Sequence, residues 1–338
     1  MRLRDYIIRR LVLLIPVLLG VTLLTFLLTN LMPSDPVRLM IGEKGASEET
    51  LAMMRAHYGL DQPLYIRYFT YMRNLLRGDL GQAIHVSVSV NEAVMTRLPA
   101  TIELGVAGLM LAVVFGILIG IISAVKSNTL IDHASRIFAL TGVSMPIFWL
   151  GIMLLLLFYF RLGWLPGMGR LSIGIDPPAF ITGFYTIDSL FAGDFLAFKD
   201  SIAHLILPAF CLSWLEMAMI MRITRSSMLE VIRQDYIRTA RSKGLSERVV
   251  IYRHALHNAM IPTITIVGLS VGALFGGAVL TETVFAWPGI GSFMVESITF
   301  KDIPVILGIT VIMALANVFA NLITDMLYGV LDPRIRYG

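Results

Sequence analysis

Six long apolar stretches constrain the fold of this chain more than any other feature of its sequence. They lie at about 11–31, 100–125, 137–160, 202–221, 261–281 and 304–330. Roughly 20 apolar residues cross a bilayer as an α-helix, which satisfies its own backbone hydrogen bonds in lipid. Only 15% of the residues are charged, whereas soluble domains carry about a quarter. We therefore expect an all-α, polytopic membrane protein with six transmembrane helices.

The first stretch follows a basic N-terminus, so a cleaved signal peptide is an alternative interpretation. However, the run is as long as a bilayer crossing, and no small-residue cleavage pattern follows it. We expect a retained membrane helix over 1–31, an external segment over 32–96, a transmembrane domain over 97–330 and a tail over 331–338.

The distribution of Lys and Arg predicts the orientation of the chain in the membrane. These residues are dense at the N-terminus, in the 222–260 segment and in the C-terminal tail. The long 32–99 segment also carries basic residues, but acids match them, and long segments are translocated with little regard to charge. Both termini are therefore predicted to be cytoplasmic.

The external segment has apolar residues at helical spacing on both sides of a turn at Leu60 to Pro63. This pattern predicts short amphipathic helices lying against the outer face. They are either a structural cap over the membrane helices or part of a docking surface for an external partner.

The 222–260 segment is predicted to extend a membrane helix into the cytoplasm. Gly244 should end that helix, because glycine accepts the left-handed conformation just after a helix. Ser246 is a plausible N-cap of a second, short helix with Glu247 in its first turn, returning to the membrane at Pro262. An ordinary basic loop held inside by its charge is the alternative.

This segment resembles the coupling loop of ABC importer permeases, whose short helix binds an ATPase subunit. The general pattern E-A-A-x3-G-x9-I-x-L-P is only partly met, because His254 and His257 replace its Ile and Pro. Residues 235–245 match the peptide-importer variant D-Y-I-R-T-A-R-x-K-G-L closely. The resemblance implies ATPase-coupling residues, which are Asp235, Arg238, Thr239, Ala240, Lys243, Gly244, Leu245, Ser246 and Glu247.

Further motifs extend the resemblance along most of the chain. Residues 281–291 are similar to the family's T-E-T-x-F-x-W-P-G-x-G segment, and 77–81 and 331–336 also match. The resemblance is greatest to the first, B-type, permease subunit of dipeptide importers. It implies a type I ABC importer permease fold in a bacterial cytoplasmic (inner) membrane.

The partners follow from the resemblance and from a missing motif. The chain has no G-x-x-x-x-G-K-[ST] phosphate loop, so an ATP-driven process needs a nucleotide site on another protein. The resemblance implies a second related permease, two ATPase subunits that use ATP and Mg, and a periplasmic or extracellular substrate-binding protein. We expect the lipid bilayer around the chain, no nucleic acid, no cofactor or metal bound by the chain itself, and no enzymatic activity.

The translocation pathway is predicted from small and charged residues in the apolar stretches. Close helix packing without a transport role is the alternative for each glycine, and a structural ion pair is the alternative for the charges. We expect Glu103 to pair with Arg97. The pathway and gate candidates are Gly268, Gly272, Gly276, Glu282, Pro288, Glu216 and Pro146.

The remaining sequence signals are weaker. Asp325 is expected to meet Arg334 or Arg336, and the four tryptophans near predicted helix ends are expected to anchor the membrane interface. Dipeptides or short peptides are the favoured substrate, with glutathione, nickel or another small solute as alternatives. A secondary transporter or a membrane-embedded enzyme is the rival class, but neither inverted repeats nor converging catalytic groups are evident.

Overall fold

The computed structural model describes residues 3–31, 47–57, 60–86 and 88–331. These residues are mostly helical, and within them the only β-structure is an isolated bridge between Gln82 and Ser89. The expected all-α class is confirmed. The first elements are α1 (Leu3–Leu31), α2 (Glu48–His57), α3 (Leu64–Leu76), α4 (Val90–Val125), α5 (Leu130–Ser144), α6 (Ile147–Leu154), α7 (Tyr185–Ala192) and α8 (Phe195–Ile232).

The second half continues with shorter and longer helices in alternation. It comprises α9 (Asp235–Ser242), α10 (Glu247–Val249), α11 (Leu256–Val284), α12 (Ile290–Thr299) and α13 (Ile303–Leu331). Two π-helical segments extend neighbouring helices, at Leu155–Arg161 after α6 and at Val250–Ala255 between α10 and α11.

Five helices of the described chain are long and apolar enough to cross a membrane, and a bent pair makes a sixth candidate. That pair, Leu130–Ser144 and Ile147–Arg161, bends by 112°. The expected third span at 137–160 is therefore two helices rather than one. Pro146 causes the bend, because it disfavours a helical conformation at Met145, whose backbone is extended.

The centre of the bundle is the packing of α4 on α8. Two glycines on α4, Gly116 and Gly120, let the two backbones approach each other. A Cβ on Gly116 would lie 2.9 Å from Ile220, and one on Gly120 would lie 2.7 Å from Thr224. Side chains of any other type at these two positions would force the helices apart.

The segment after α1 contains the predicted short helices α2 and α3. Helix α3 contacts the side of α1. The hydroxyl groups of Tyr68 and Thr22 lie 3.1 Å apart, and the Tyr68 ring packs on Phe26 at 5.3 Å between centroids. Thr22 lies in the middle of the candidate span Val12–Leu31. Helix α3 therefore lies alongside the apolar part of α1.

Several helix ends differ from those predicted from the sequence. Helix α4 begins at Val90, so the boundary between residues 96 and 97 falls inside a helix. The helix expected to run to Gly244 is interrupted at Arg233 and Gln234, where Gln234 is extended and Asp235 opens α9. The predicted short second helix is continuous with α11 through the π-helical segment, and Pro262 lies inside α11. Membrane helices tolerate proline because neighbouring groups satisfy the freed carbonyl.

Candidate functional site

Helix α9 is attached to one end of the bundle through its apolar face. Ile237 is fully buried and Ala240 nearly so. Both belong to a cluster formed by the adjacent ends of α4 and α8 and the start of α11. The other buried members are Ile121, Ala124, Met228, Val231, Val250, Ile251, Ala255 and Ala259. Because a packed cluster transmits displacement rather than absorbing it, movement of α9 would displace three long helices.

The opposite face of α9 is polar and open. Asp235 and Arg238 form an ion pair at 3.5 Å with side chains 96% and 79% exposed. Thr239 donates its hydroxyl hydrogen to the Asp235 carbonyl at 3.0 Å. Exposed ion pairs add little stability. These charges are therefore available for contact with a second protein.

Gly244 forms the break that follows α9. Its φ is +77°, in the left-handed region, and a Cβ there would meet no atom within 4 Å. Arg241 and Glu247 span the break with two hydrogen bonds of 3.0 and 2.6 Å. The bond to Glu247 raises the pKa of Arg241 above its usual value. Ser246 has the extended backbone of an N-cap, but its side chain does not make the expected capping hydrogen bond.

The surface around the break combines apolar and basic side chains. Lys243 is exposed and Leu245 is 40% exposed. Next to them is a shallow depression lined by Arg248, Val249, Tyr252 and Arg253. Exposed aromatic and Arg side chains of this kind are typical of protein–protein contacts. The structure thus brings all nine sequence-predicted coupling residues into one short stretch at one end of the bundle.

A buried ion pair at the same end was not predicted. Asp132 is fully buried, and Arg225 donates to both of its carboxylate oxygens at 2.6 and 2.8 Å. Ser123 adds a bond of 2.6 Å and the Asn128 N–H one of 3.0 Å. The group joins α4, α5 and α8 beside α9. The sequence signal that could have revealed this pair is the acid in the short 126–136 loop, which is predicted to lie on the same side of the membrane as the arginine-rich 222–260 segment.

The predicted gate residue Glu282 forms a buried corner with residues 287–292 at the other end of the bundle. Thr101 donates to its Oε1 at 2.6 Å and the Ser292 N–H to its Oε2 at 2.9 Å. A Cβ on Gly289 would lie 2.2 Å from Oε1. The Glu282 carboxylate therefore lies in close contact with the N-terminus of α12, and the glycine at position 289 leaves room for it. Pro288 is exposed at the edge of this corner.

Trp287 belongs to the same corner and does not anchor the interface as expected. It is 1% exposed, and its indole N–H donates to the Ala100 carbonyl at 2.9 Å. Arg170 lies over its ring at 5.6 Å. A fully enclosed tryptophan with a satisfied N–H is a packing residue.

Glu103 also has a different partner from the expected Arg97. It pairs with buried Arg170 at 2.5 Å and accepts bonds from the N–H and hydroxyl of Thr186 at 2.9 and 2.6 Å. The pair ties the 161–201 segment to α4. Arg170 was missed because it lies in a polar segment without helical periodicity. The side chain of Asp325 and the residues Arg334 and Arg336 lie outside the described residues.

The other pathway candidates lie in the middle of the bundle. Glu216 accepts a hydrogen bond from Ser270, and with Pro146 it lines a cavity of about 340 Å³ between α5, α6, α8 and α11. Gly268 and Gly272 are buried. A Cβ on Gly272 would lie 3.5–3.6 Å from the side-chain oxygens of two asparagines of α13. Gly276 is part of α11, where its surroundings lie outside the described residues.

Metal binding finds no support in the described part of the chain. Among those residues, no group of three His, Cys, Asp or Glu side chains could hold a metal ion.

Comparison with known proteins gives matches along almost the whole chain. Residues 116–337 match the family model described as binding-protein-dependent transport system inner membrane component, and residues 3–105 match the model of its N-terminal region.

Individual relatives agree with the family models. The chain is 46% identical over 335 residues to the di/tripeptide transport system permease protein DppB of Pseudomonas aeruginosa, covering 98% of this chain and 99% of that protein. It is 46% identical over 332 residues to the dipeptide permease DppB of Alkalihalophilus pseudofirmus and 45% identical over 335 residues to that of Escherichia coli K12, with the same coverage. The chain belongs to the inner-membrane permease family of binding-protein-dependent transport systems.

Proposed function

We propose that this chain forms half of the translocation pathway of an ATP-driven ABC importer for dipeptides or short peptides. The observation that carries the proposal is the near-full-length similarity, at 46% identity, to a di/tripeptide permease. The coupling segment supports it, because α9 combines an exposed polar face with an apolar face packed into the bundle.

The proposed complex contains a second related permease, two ATPase subunits and an external substrate-binding protein. ATP and Mg would be bound by the ATPase subunits, because this chain lacks a phosphate loop. The α9 end of the bundle faces the cytoplasm, in agreement with the dense positive charge of the 222–260 segment. Both termini then lie in the cytoplasm, and the Glu282 corner and the 161–201 segment lie outside.

In the proposed transport mechanism, the bundle alternates between two conformational states. ATP-driven closure of the ATPase subunits would displace α9 and the Gly244 break. The cluster around Ile237 would pass that displacement to α4, α8 and α11. The bundle would then open alternately to the two sides, and the binding protein would deliver the peptide from outside.

Reconstitution of the complete importer in proteoliposomes tests the proposal. With external binding protein and internal ATP, uptake of labelled dialanine is expected, and it should stop when ATP is omitted. Glutathione and Ni²⁺ are run in parallel as alternative substrates. Uptake without ATP would support a secondary transporter, and uptake of only glutathione or Ni²⁺ would refute the peptide assignment.

A further inference from the structure

The cavity beside Glu216 has the size and position of a small-molecule site. Its volume of about 340 Å³ falls in the range of about 300–1,000 Å³ that is usual for such sites. Its walls come from the bent pair α5–α6 and from α8 and α11, so it lies where Pro146 interrupts the third span. The lining residues that matter below are Gly142, Pro146, Trp214 and Glu216.

Glu216 is a carboxylate in the middle of the long apolar helix α8. Its hydrogen-bond partner is the Ser270 hydroxyl. Within the described chain, no Lys, Arg or His lies at ion-pair distance from it. Charged groups at this depth are costly and normally face a partner or a pathway. Glu103 and Asp132 have arginine partners, whereas buried Glu282 is held by the Thr101 hydroxyl and the Ser292 N–H.

The backbone is interrupted at the same place. Helix α5 ends at Ser144, and Pro146 has no N–H to donate to the carbonyl of Gly142. The negative end of the α5 dipole is offset by the positive end of α6, which begins at Ile147. The Glu216 carboxylate is therefore the group that selects a positively charged ligand.

Trp214 lines the cavity and carries a hydrogen-bond donor. Its indole N–H is buried and has no partner among the described residues. Its ring is fixed by Phe138 and Phe210, with centroids at 4.5 and 5.3 Å. A buried donor without a partner is costly, so a ligand that supplies an acceptor would be stabilised here.

We propose that this cavity binds the N-terminal end of a peptide in transit, with its α-ammonium group on the Glu216 carboxylate and the Trp214 N–H donating to a peptide carbonyl. This inference rests on the proposed peptide-import function. Every short peptide presents an ammonium group next to a carbonyl, whatever its side chains. A site that recognises only these two groups would bind short peptides of many different sequences.

The test uses the complete importer in proteoliposomes with labelled dialanine and with an alanyl-photoleucine probe. Glu216→Gln should lower the uptake rate and the crosslinking of the probe to residues 142–150 and 211–216 at least tenfold. Trp214→Phe keeps the aromatic ring and should lower crosslinking several-fold. Glu216→Asp should restore part of both signals. Glu296→Gln is the matched control, because that carboxylate is 49% exposed.

The outcomes separate this inference from the function on which it rests. Absence of dialanine uptake by the wild-type importer would refute the proposed function itself. Normal wild-type uptake with unchanged uptake and crosslinking in Glu216→Gln would refute only the cavity site. If Glu216→Gln fails to assemble, Trp214→Phe decides: reduced crosslinking supports the site, and unchanged crosslinking overturns it.

Discussion

Replacing Ile237 by alanine should detach α9 from the bundle and uncouple ATP hydrolysis from uptake. The Ile237 side chain is fully buried in the cluster that joins α9 to α4, α8 and α11. The change removes three carbon groups, which at about 0.8 kcal/mol each amounts to about 2.4 kcal/mol. With the cavity left behind, the expected loss is about 2–5 kcal/mol. At a factor of ten per 1.4 kcal/mol, the ratio of docked to undocked α9 falls by about 30-fold to 4,000-fold.

Proteoliposomes that contain the complete importer measure this effect as ATP hydrolysed per peptide taken up. The ratio should rise at least tenfold in Ile237→Ala, while the ATPase subunits still copurify, because the exposed face of α9 is unchanged. Ile173→Ala removes the same atoms from a fully exposed side chain and should leave the ratio at the wild-type value. An unchanged ratio in Ile237→Ala, with normal ATPase content, would refute the reasoning.

Three further predictions follow from the packing of the bundle. Asp132→Asn leaves Arg225 without its buried partner and should cost about 3–5 kcal/mol, seen as a lower Tm of the purified complex, whereas Asp235→Asn in the 96% exposed pair should cost less than about 1 kcal/mol. Gly120→Ala should lower the Tm through a loss of about 1–3 kcal/mol from overpacking, and Gly105→Ala, where a Cβ meets nothing within 4 Å, should not; equal Tm values would contradict the close contact of α4 and α8. Gly272→Leu should reduce peptide uptake without loss of the assembled complex, and normal uptake would remove the predicted role of α11 in the pathway.

Local signals in the sequence were sufficient for much of the fold. The apolar stretches predicted the membrane helices because length and hydropathy decide whether a helix crosses a bilayer. Gly244 predicted the break after α9 because only the backbone conformation mattered there. Pro146 lies inside the third apolar stretch and causes the bend between α5 and α6, and both helices then pack against α8.

Features that depend on distant partners could not be predicted in the same way. Arg170 and Glu103 are 67 residues apart and meet only after the 161–201 segment folds back on α4. Asp132 and Arg225 are 93 residues apart. Trp287 lies at a helix end in the sequence, yet it is 1% exposed and packs with residues of both α4 and α8. In each case the contact is set by the packing of whole helices, which periodicity within one segment does not reveal.

Cysteine labelling beside the Gly244 break tests whether this segment faces the cytoplasm and contacts an ATPase subunit. Cys211 is the only cysteine of the chain and is buried, so Leu245→Cys in a Cys211→Ser background gives a single exposed thiol. A membrane-impermeant maleimide should label this thiol only from the cytoplasmic side, and a short bifunctional crosslinker should join it to an ATPase subunit. Labelling from the external side, or no crosslink to an ATPase subunit in the assembled importer, would contradict the proposed cytoplasmic coupling role of this segment.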